Sequence, residues 1–92
     1  MANVIITVKI MPKNPDIDLK NIEFNSKNII SKFTDNKETK TEIEPIGFGL
    51  KALRIIFVMD ENKGSPDPVS EEITRLEGVN SAEIVDVRRA LG

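Results

Sequence analysis

The chain has 92 residues, 13 of them Lys or Arg and 15 Asp or Glu, with a formal net charge of -2. This length predicts one small domain, residues 1–92, and the charge gives no general attraction to nucleic acid or anionic membranes. The chain has no cysteine and no histidine. This excludes disulfides, thiol nucleophiles, imidazole bases and the usual zinc and haem sites. We therefore expect neither an enzyme nor a bound cofactor or metal.

The sequence also lacks the features of a membrane or exported protein. No run reaches the roughly 18 apolar residues that a membrane helix needs. Met1 and Ala2 lead directly into strand-like sequence rather than a signal peptide. We expect a cytoplasmic protein without a membrane partner.

The first half of the chain predicts a strand, a helix and an edge strand. Residues 3–11 alternate in polarity, with one apolar face composed of Val4, Ile6, Val8 and Ile10. Asp16 or Asp18 can cap a helix that begins at Leu19 and ends near Phe33. After a polar loop, residues 38–44 alternate threonine and isoleucine with charges, which is typical of an exposed edge strand. Pro45 is expected to end that strand.

The second half predicts a strand, a helix and a strand. Residues 50–59 are largely apolar and rich in β-branched side chains, as in a central strand that turns Leu53, Ile55, Phe57 and Met59 to the core. Proline begins a short helix at residues 65–68, Gly78 ends it, and residues 81–88 form the last strand. This order predicts an α+β, ferredoxin-like βαββαβ sandwich: a four-stranded antiparallel sheet with two helices on one face. The open face would carry Ile5, Thr7, Arg54, Ile56 and Val58.

Phe48 stands between Gly47 and Gly49 in the turn that joins the second and third strands. In one interpretation, the glycines permit positive backbone dihedrals and Phe48 folds back onto the core. In the other, the flexible flanks lift the aromatic ring from the body so that it anchors in a pocket of a partner protein. The residues alone favour the first interpretation.

Arg88 and Arg89 near the end of the chain also allow two interpretations. They are either solvated residues that balance Asp86 and Glu83, or cations that reach an acidic or phosphate-handling site on a partner. The residues alone favour the solvated interpretation.

A ferredoxin-like RNA-binding module is an alternative, because its signature contains Gly-Phe-Gly on the third strand. The surrounding signature positions hold Ile46, Leu50, Lys51 and Leu53 instead of a basic residue, two aromatics and a valine. Without stacked aromatics, single-stranded RNA has little to bind. An RNA-binding or small-ligand regulatory module stays the alternative function.

Five segments, taken in order, resemble the archaeal, single-domain form of the translation elongation factor 1-beta family. The resemblance covers essentially the whole chain. The segments are Lys9-Ile10-Met11-Pro12, Asp16-Ile17-Asp18-Leu19, Pro45-Ile46-Gly47-Phe48-Gly49-Leu50-Lys51-Ala52-Leu53, Glu77-Gly78-Val79 and Asp86-Val87-Arg88-Arg89.

The resemblance implies a guanine-nucleotide exchange factor. It would promote GDP release from, and GTP reloading of, translation elongation factor 1-alpha, the GTPase that delivers aminoacyl-tRNA. The implied partner-binding residues are Gly47, Phe48, Gly49, Arg88 and Arg89, with Phe48 inserting into the GTPase. Arg89 falls where eukaryotic relatives have a lysine implicated in displacing magnesium, although arginine is bulkier and planar. We expect no direct nucleic-acid contact and a monomer when free.

Overall fold

The secondary-structure elements follow the predicted order. The computed structural model describes residues 3–35 and 38–90. The strands are β1 (Asn3–Pro12), β2 (Thr39–Gly47), β3 (Leu50–Asp60) and β4 (Val79–Arg89), and the helices are α1 (Leu19–Thr34) and α2 (Asp67–Thr74). A short 3-10 turn, Glu61–Lys63, follows β3.

The four strands form one antiparallel sheet in the order β2-β3-β1-β4. Residues of both helices belong to one core cluster with residues of the sheet, so both helices pack on the same face. Two crossover connections of the same hand produce this arrangement. The central strands are β3 and β1, and the edges are β2 and β4. The predicted ferredoxin-like α+β fold is confirmed.

The core lies between the sheet and the helices. As expected, alternate residues of the strands point into it. Every fully buried aliphatic side chain contributes about 1.5–3 kcal/mol by leaving water. Asp18 caps α1, because its carboxylate accepts a hydrogen bond of 3.0 Å from the amide of Lys20. The buried apolar cluster comprises Ile6, Val8, Ile10, Ile22, Ile30, Leu53, Ile55, Phe57, Met59, Val69, Ile73 and Val79.

Three boundaries differ from the predictions by two residues or more. Strand β2 continues through Pro45 to Gly47, because an edge strand tolerates proline where its missing amide faces away from the neighbouring strand. Helix α2 ends at Thr74, before Gly78, since the next amides bond three residues back and tighten the last turn. Strand β4 begins two residues early, where Val79 pairs with Pro12. Residues 36–37 of the predicted loop and residues 91–92 lie outside the described residues.

The face of the sheet away from the helices has the predicted composition. Ile5, Arg54, Ile56 and Val58 are half-buried there, and Thr7 is buried between its neighbours. The four phenylalanines of the chain lie elsewhere: two on α1, one in the core and one in the β2–β3 turn. This face therefore has no aromatic platform on which RNA bases could stack.

Candidate protein-binding site

The first candidate region is the hairpin tip, which consists of Gly47, Phe48 and Gly49. Strands β2 and β3 remain paired as far as Gly47 and Leu50, so only Phe48 and Gly49 form the loop. Their φ angles are 53° and 79°, and φ of Gly47 is 117°. A two-residue hairpin loop of type I′ requires positive φ at both loop residues, because that turn matches the twist of the strands. The hairpin geometry thus imposes the left-handed conformation on Phe48.

The Phe48 side chain makes no packing contact with the described residues that would offset the cost of this conformation. Its relative accessibility is 103%, so the interpretation in which it folds onto the core is wrong. A left-handed conformation costs a residue with a side chain about 1–2 kcal/mol, and bulky residues rarely adopt it. The position therefore combines backbone strain with a fully exposed aromatic ring, a combination that folding does not favour.

Positions 47 and 49 favour glycine because of their backbone dihedrals, and not because a side chain there would collide with its neighbours. A Cβ atom added to Gly47 would meet nothing within 4 Å, and one added to Gly49 would make only ordinary contacts of 3.6 and 3.7 Å with Pro15. Their positive φ angles are what a larger residue would find difficult to adopt. Glycine at both positions therefore lets the chain turn around a protruding ring.

Ion pairs link three neighbouring strands close to the hairpin tip. Glu44 accepts a hydrogen bond of 2.9 Å from Arg54, and Lys9 lies 3.7 Å from its second oxygen. The hydrogen bond from Arg54, reinforced by the charge of Lys9, lowers the pKa of Glu44 below its usual range. These contacts link side chains of β2, β3 and β1 close to the tip.

Sequence reasoning missed an apolar neighbour of the tip. Ile46 is 41% exposed and Ile43, on the same edge strand, is 57% exposed. Both isoleucines lie on β2, the strand that leads into the hairpin tip. The available signal was Ile43 on the predicted edge strand and Ile46 directly before the predicted turn.

The second candidate region is the arginine end, Arg88 and Arg89, at the last residues of β4. Arg88 pairs with Ile5 and Arg89 with Val4 on β1, so their side chains point to opposite faces of the sheet. The Nε of Arg88 lies 2.9 Å from Oδ2 of Asp86. The Nη2 of Arg89 donates a hydrogen bond of 2.7 Å to Oε1 of Glu61. Both arginines are exposed, but each already has a carboxylate partner.

The two regions lie at opposite ends of the sheet. Strand β3 begins beside the hairpin tip and ends where β1 meets Arg89. The ten steps between its 11 residues, at about 3.3 Å each, separate the two regions by about 33 Å along the strand. This is about the diameter of a small domain. A partner that touches both regions must therefore extend along the length of this protein.

The described residues contain no cluster of His, Cys, Asp or Glu suited to hold a metal ion. No helix within residues 3–35 and 38–90 is long and apolar enough to cross a membrane.

Comparison with known proteins identifies the family. The fold defines a ferredoxin-like α+β domain, and residues 5–90 match the EF-1 guanine nucleotide exchange domain. Elongation factor 1-beta of Methanosphaera stadtmanae is 40% identical over 91 residues, which cover 99% of this chain and 100% of that protein. Elongation factor 1-beta of Methanothermobacter thermautotrophicus is 36% identical over 92 residues, with coverages of 99% and 100%. The chain belongs to the elongation factor 1-beta family, which confirms the resemblance.

Solved structures agree on the fold alone. The de novo designed protein Foldit4 superimposes with a TM-score of 0.67 over 98% of each chain, at 13% identity. The chain titled BlrP1 BLUF gives a TM-score of 0.57 at 10% identity, and the match covers all of this chain and 57% of that chain. One backbone arrangement thus serves very different sequences, so function has to be argued from the exposed residues.

Proposed function

We propose that this protein is a guanine-nucleotide exchange factor that promotes GDP release from translation elongation factor 1-alpha and lets GTP reload. The observation that carries the proposal is Phe48, which is fully exposed in a strained conformation at the hairpin tip. Membership of the exchange-domain family supports the choice of partner.

The proposed activity is an effect on a binding equilibrium and involves no covalent chemistry. Such a GTPase holds its nucleotide through its phosphate-binding loop and a magnesium ion that bridges the phosphates to the protein. The exchange factor binds the nucleotide-free GTPase more tightly than the GDP-bound form. By linkage, it lowers GDP affinity by the factor by which GDP weakens its own binding. Rebinding of GTP then displaces the exchange factor.

Phe48 acts in this proposal as the anchor. An aromatic side chain buries about 150–250 Å² when it enters a pocket, and such anchors dominate the energy of many interfaces. Pairing of β2 with β3 up to Gly47 and Leu50 orders the turn that carries the ring before the partner arrives. Because the turn is ordered in advance, little backbone entropy is lost on binding.

Arg89 acts as a cation directed at the phosphate and magnesium region of the partner, and Arg88 lies close enough in sequence to assist. A guanidinium is always charged and offers several donors to carboxylates or phosphates. The separation of about 33 Å, estimated from the rise of about 3.3 Å per strand residue, implies two distinct contacts on the GTPase. One contact anchors the protein and the other acts close to the nucleotide.

Release of a fluorescent GDP analogue from elongation factor 1-alpha tests the proposal. We expect this protein to accelerate release in the presence of excess unlabelled nucleotide, and to form a complex that GDP dissociates. A release rate independent of the protein concentration contradicts the proposed function. Bovine serum albumin at the same concentration is a suitable control for nonspecific effects.

A further inference from the structure

The ion pair of Arg89 joins two well-ordered pieces of backbone. Glu61 begins the 3-10 turn, in which Asp60 accepts a hydrogen bond of 2.9 Å from the amide of Asn62 and the amide of Gly64 bonds to the Glu61 carbonyl at 3.2 Å. On the other side, the amide of Ala90 donates to the carbonyl of Asn3 at 2.8 Å. The turn and the strand end are therefore both held by hydrogen bonds that do not involve the side chains of Glu61 and Arg89.

The contact itself is single and accessible. Only Nη2 of Arg89 is within 2.7 Å of Glu61, and the two side chains are 65% and 41% exposed. This hydrogen bond holds the guanidinium beside Glu61, so the group has to leave Glu61 before its planar fork can align bidentately with another anion. A carboxylate or phosphate of a partner has the same chemistry as Glu61 and binds the same donors.

We propose that Glu61 is a positioning residue for Arg89: in the free protein its carboxylate holds the guanidinium against the β3–α2 connection, and the anionic site of the GTPase must displace it. The inference rests on the proposed function and adds a control on when the cation becomes free. Arg89 thereby stays directed along the body of the protein until the competing anionic site is near.

The expected effect is small, because an exposed ion pair is weak and screened by salt. Competition for the guanidinium in the free protein weakens partner binding without changing the complex. Loss of Glu61 therefore lowers the KM for the GTPase by about two- to fivefold and leaves kcat unchanged. KM changes and kcat does not, because the ion pair between Arg89 and Glu61 exists only before the complex forms.

A double-mutant cycle tests the inference with Glu61→Gln, Arg89→Ala and the double variant. Glutamine keeps the size of the side chain and removes its charge. We expect Glu61→Gln to lower KM in the wild-type background and to change nothing in the Arg89→Ala background. The matched control is Glu71→Gln, which removes one negative charge from an exposed position on α2. It is expected to leave KM unchanged.

Each outcome decides a separate question. A Glu61→Gln variant with unchanged or raised KM overturns the role of Glu61, as does an equal decrease in KM in the Arg89→Ala background. Failure of the wild-type protein to accelerate GDP release overturns the proposed function itself. Thermal melting of all variants distinguishes these results from a loss of folded protein, and the Arg89 side-chain Nε–H signal in NMR spectra reports the pair without the GTPase.

Discussion

The hairpin tip and the arginine end are both exposed, but they relate to the rest of the molecule in opposite ways. The Phe48 side chain is fully exposed among the described residues, and its backbone has the positive φ that bulky residues rarely adopt. Arg88 and Arg89 each have a carboxylate partner in the folded protein, Asp86 and Glu61. The described contacts therefore give the arginine end an internal structural explanation and give the exposed ring of the tip none.

This difference shows what exposure alone can establish. An exposed charge in an ion pair is common on protein surfaces and contributes little to stability. An exposed aromatic in a strained turn is rare, and strain of this kind clusters at functional sites. The hairpin tip is therefore the stronger basis for a functional claim, and the arginine end is the region where experiment adds most.

The largest expected effect comes from Phe48→Ala. Removal of an interface anchor typically costs 2 kcal/mol or more, so we expect acceleration of GDP release to fall by at least about 30-fold. Stability should change by no more than about 0.5 kcal/mol, since the ring contacts no core residue. The matched control is Phe24→Ala, because Phe24 is 65% exposed on α1. Equal losses in both variants, or a loss of about 3 kcal/mol in stability, would contradict the account.

The next largest effect on GDP release is expected for Arg89→Ala, and Arg88→Ala is the comparison. Hydrogen bonds to charged groups contribute about 1.5–3 kcal/mol, so loss of the acting cation is expected to slow release by about tenfold or more. We expect the larger loss for Arg89, which lies on the face opposite Arg88. Stopped-flow release with the fluorescent GDP analogue measures both. A larger loss for Arg88→Ala would instead assign the role of the acting cation to Arg88, on the sheet face away from the helices.

Gly47→Ala tests whether the turn geometry matters. Since φ of Gly47 is 117°, an alanine there strains the backbone and lowers the free energy of unfolding by about 1–2 kcal/mol. The variant is also expected to exchange more slowly, because the ring is displaced. Urea unfolding measures the first effect. An unchanged stability would show that the turn can relax around a side chain.

The smallest effect is the acid dependence that comes from Glu44. Its pKa is lowered in the folded state, chiefly by Arg54. The carboxylate therefore adds stability above its unfolded-state pKa, and this contribution is lost as pH falls through the lower folded-state pKa. We expect Glu44→Gln to lose less stability than the wild type between neutral and acid pH, by thermal melting. The control is Glu42→Gln on the same strand, and identical pH profiles for the wild type and Glu44→Gln would rule the contribution out.

Periodic features were predictable from sequence because they repeat. The alternation in β1 and β3 places Ile6, Val8, Leu53 and Ile55 in the core as expected, since strand geometry allows only two faces. Element ends were less predictable. Helix α2 ends at Thr74 before Gly78, because local hydrogen bonds closed the last turn earlier than the glycine required.

The candidate site was predictable only in part. Gly47-Phe48-Gly49 correctly indicated a turn, but composition favoured a folded-back ring, and the structure was needed to show that the Phe48 side chain is fully exposed. The pair between Arg89 and Glu61 joins residues 28 positions apart. Such a contact depends on where the β3–α2 connection and the end of β4 meet, which no local pattern encodes. The proposed partner role of Phe48 came from the family resemblance.

The most direct test of the central claim is to measure stability and exchange together in Phe48→Asn. Asparagine adopts the left-handed conformation far more readily than phenylalanine. We predict that the free energy of unfolding rises by about 0.5–1 kcal/mol while acceleration of GDP release falls to the level of Phe48→Ala. A variant that is less stable than the wild type, or one that exchanges as fast, would contradict the claim that Phe48 is retained for a partner at the expense of the fold.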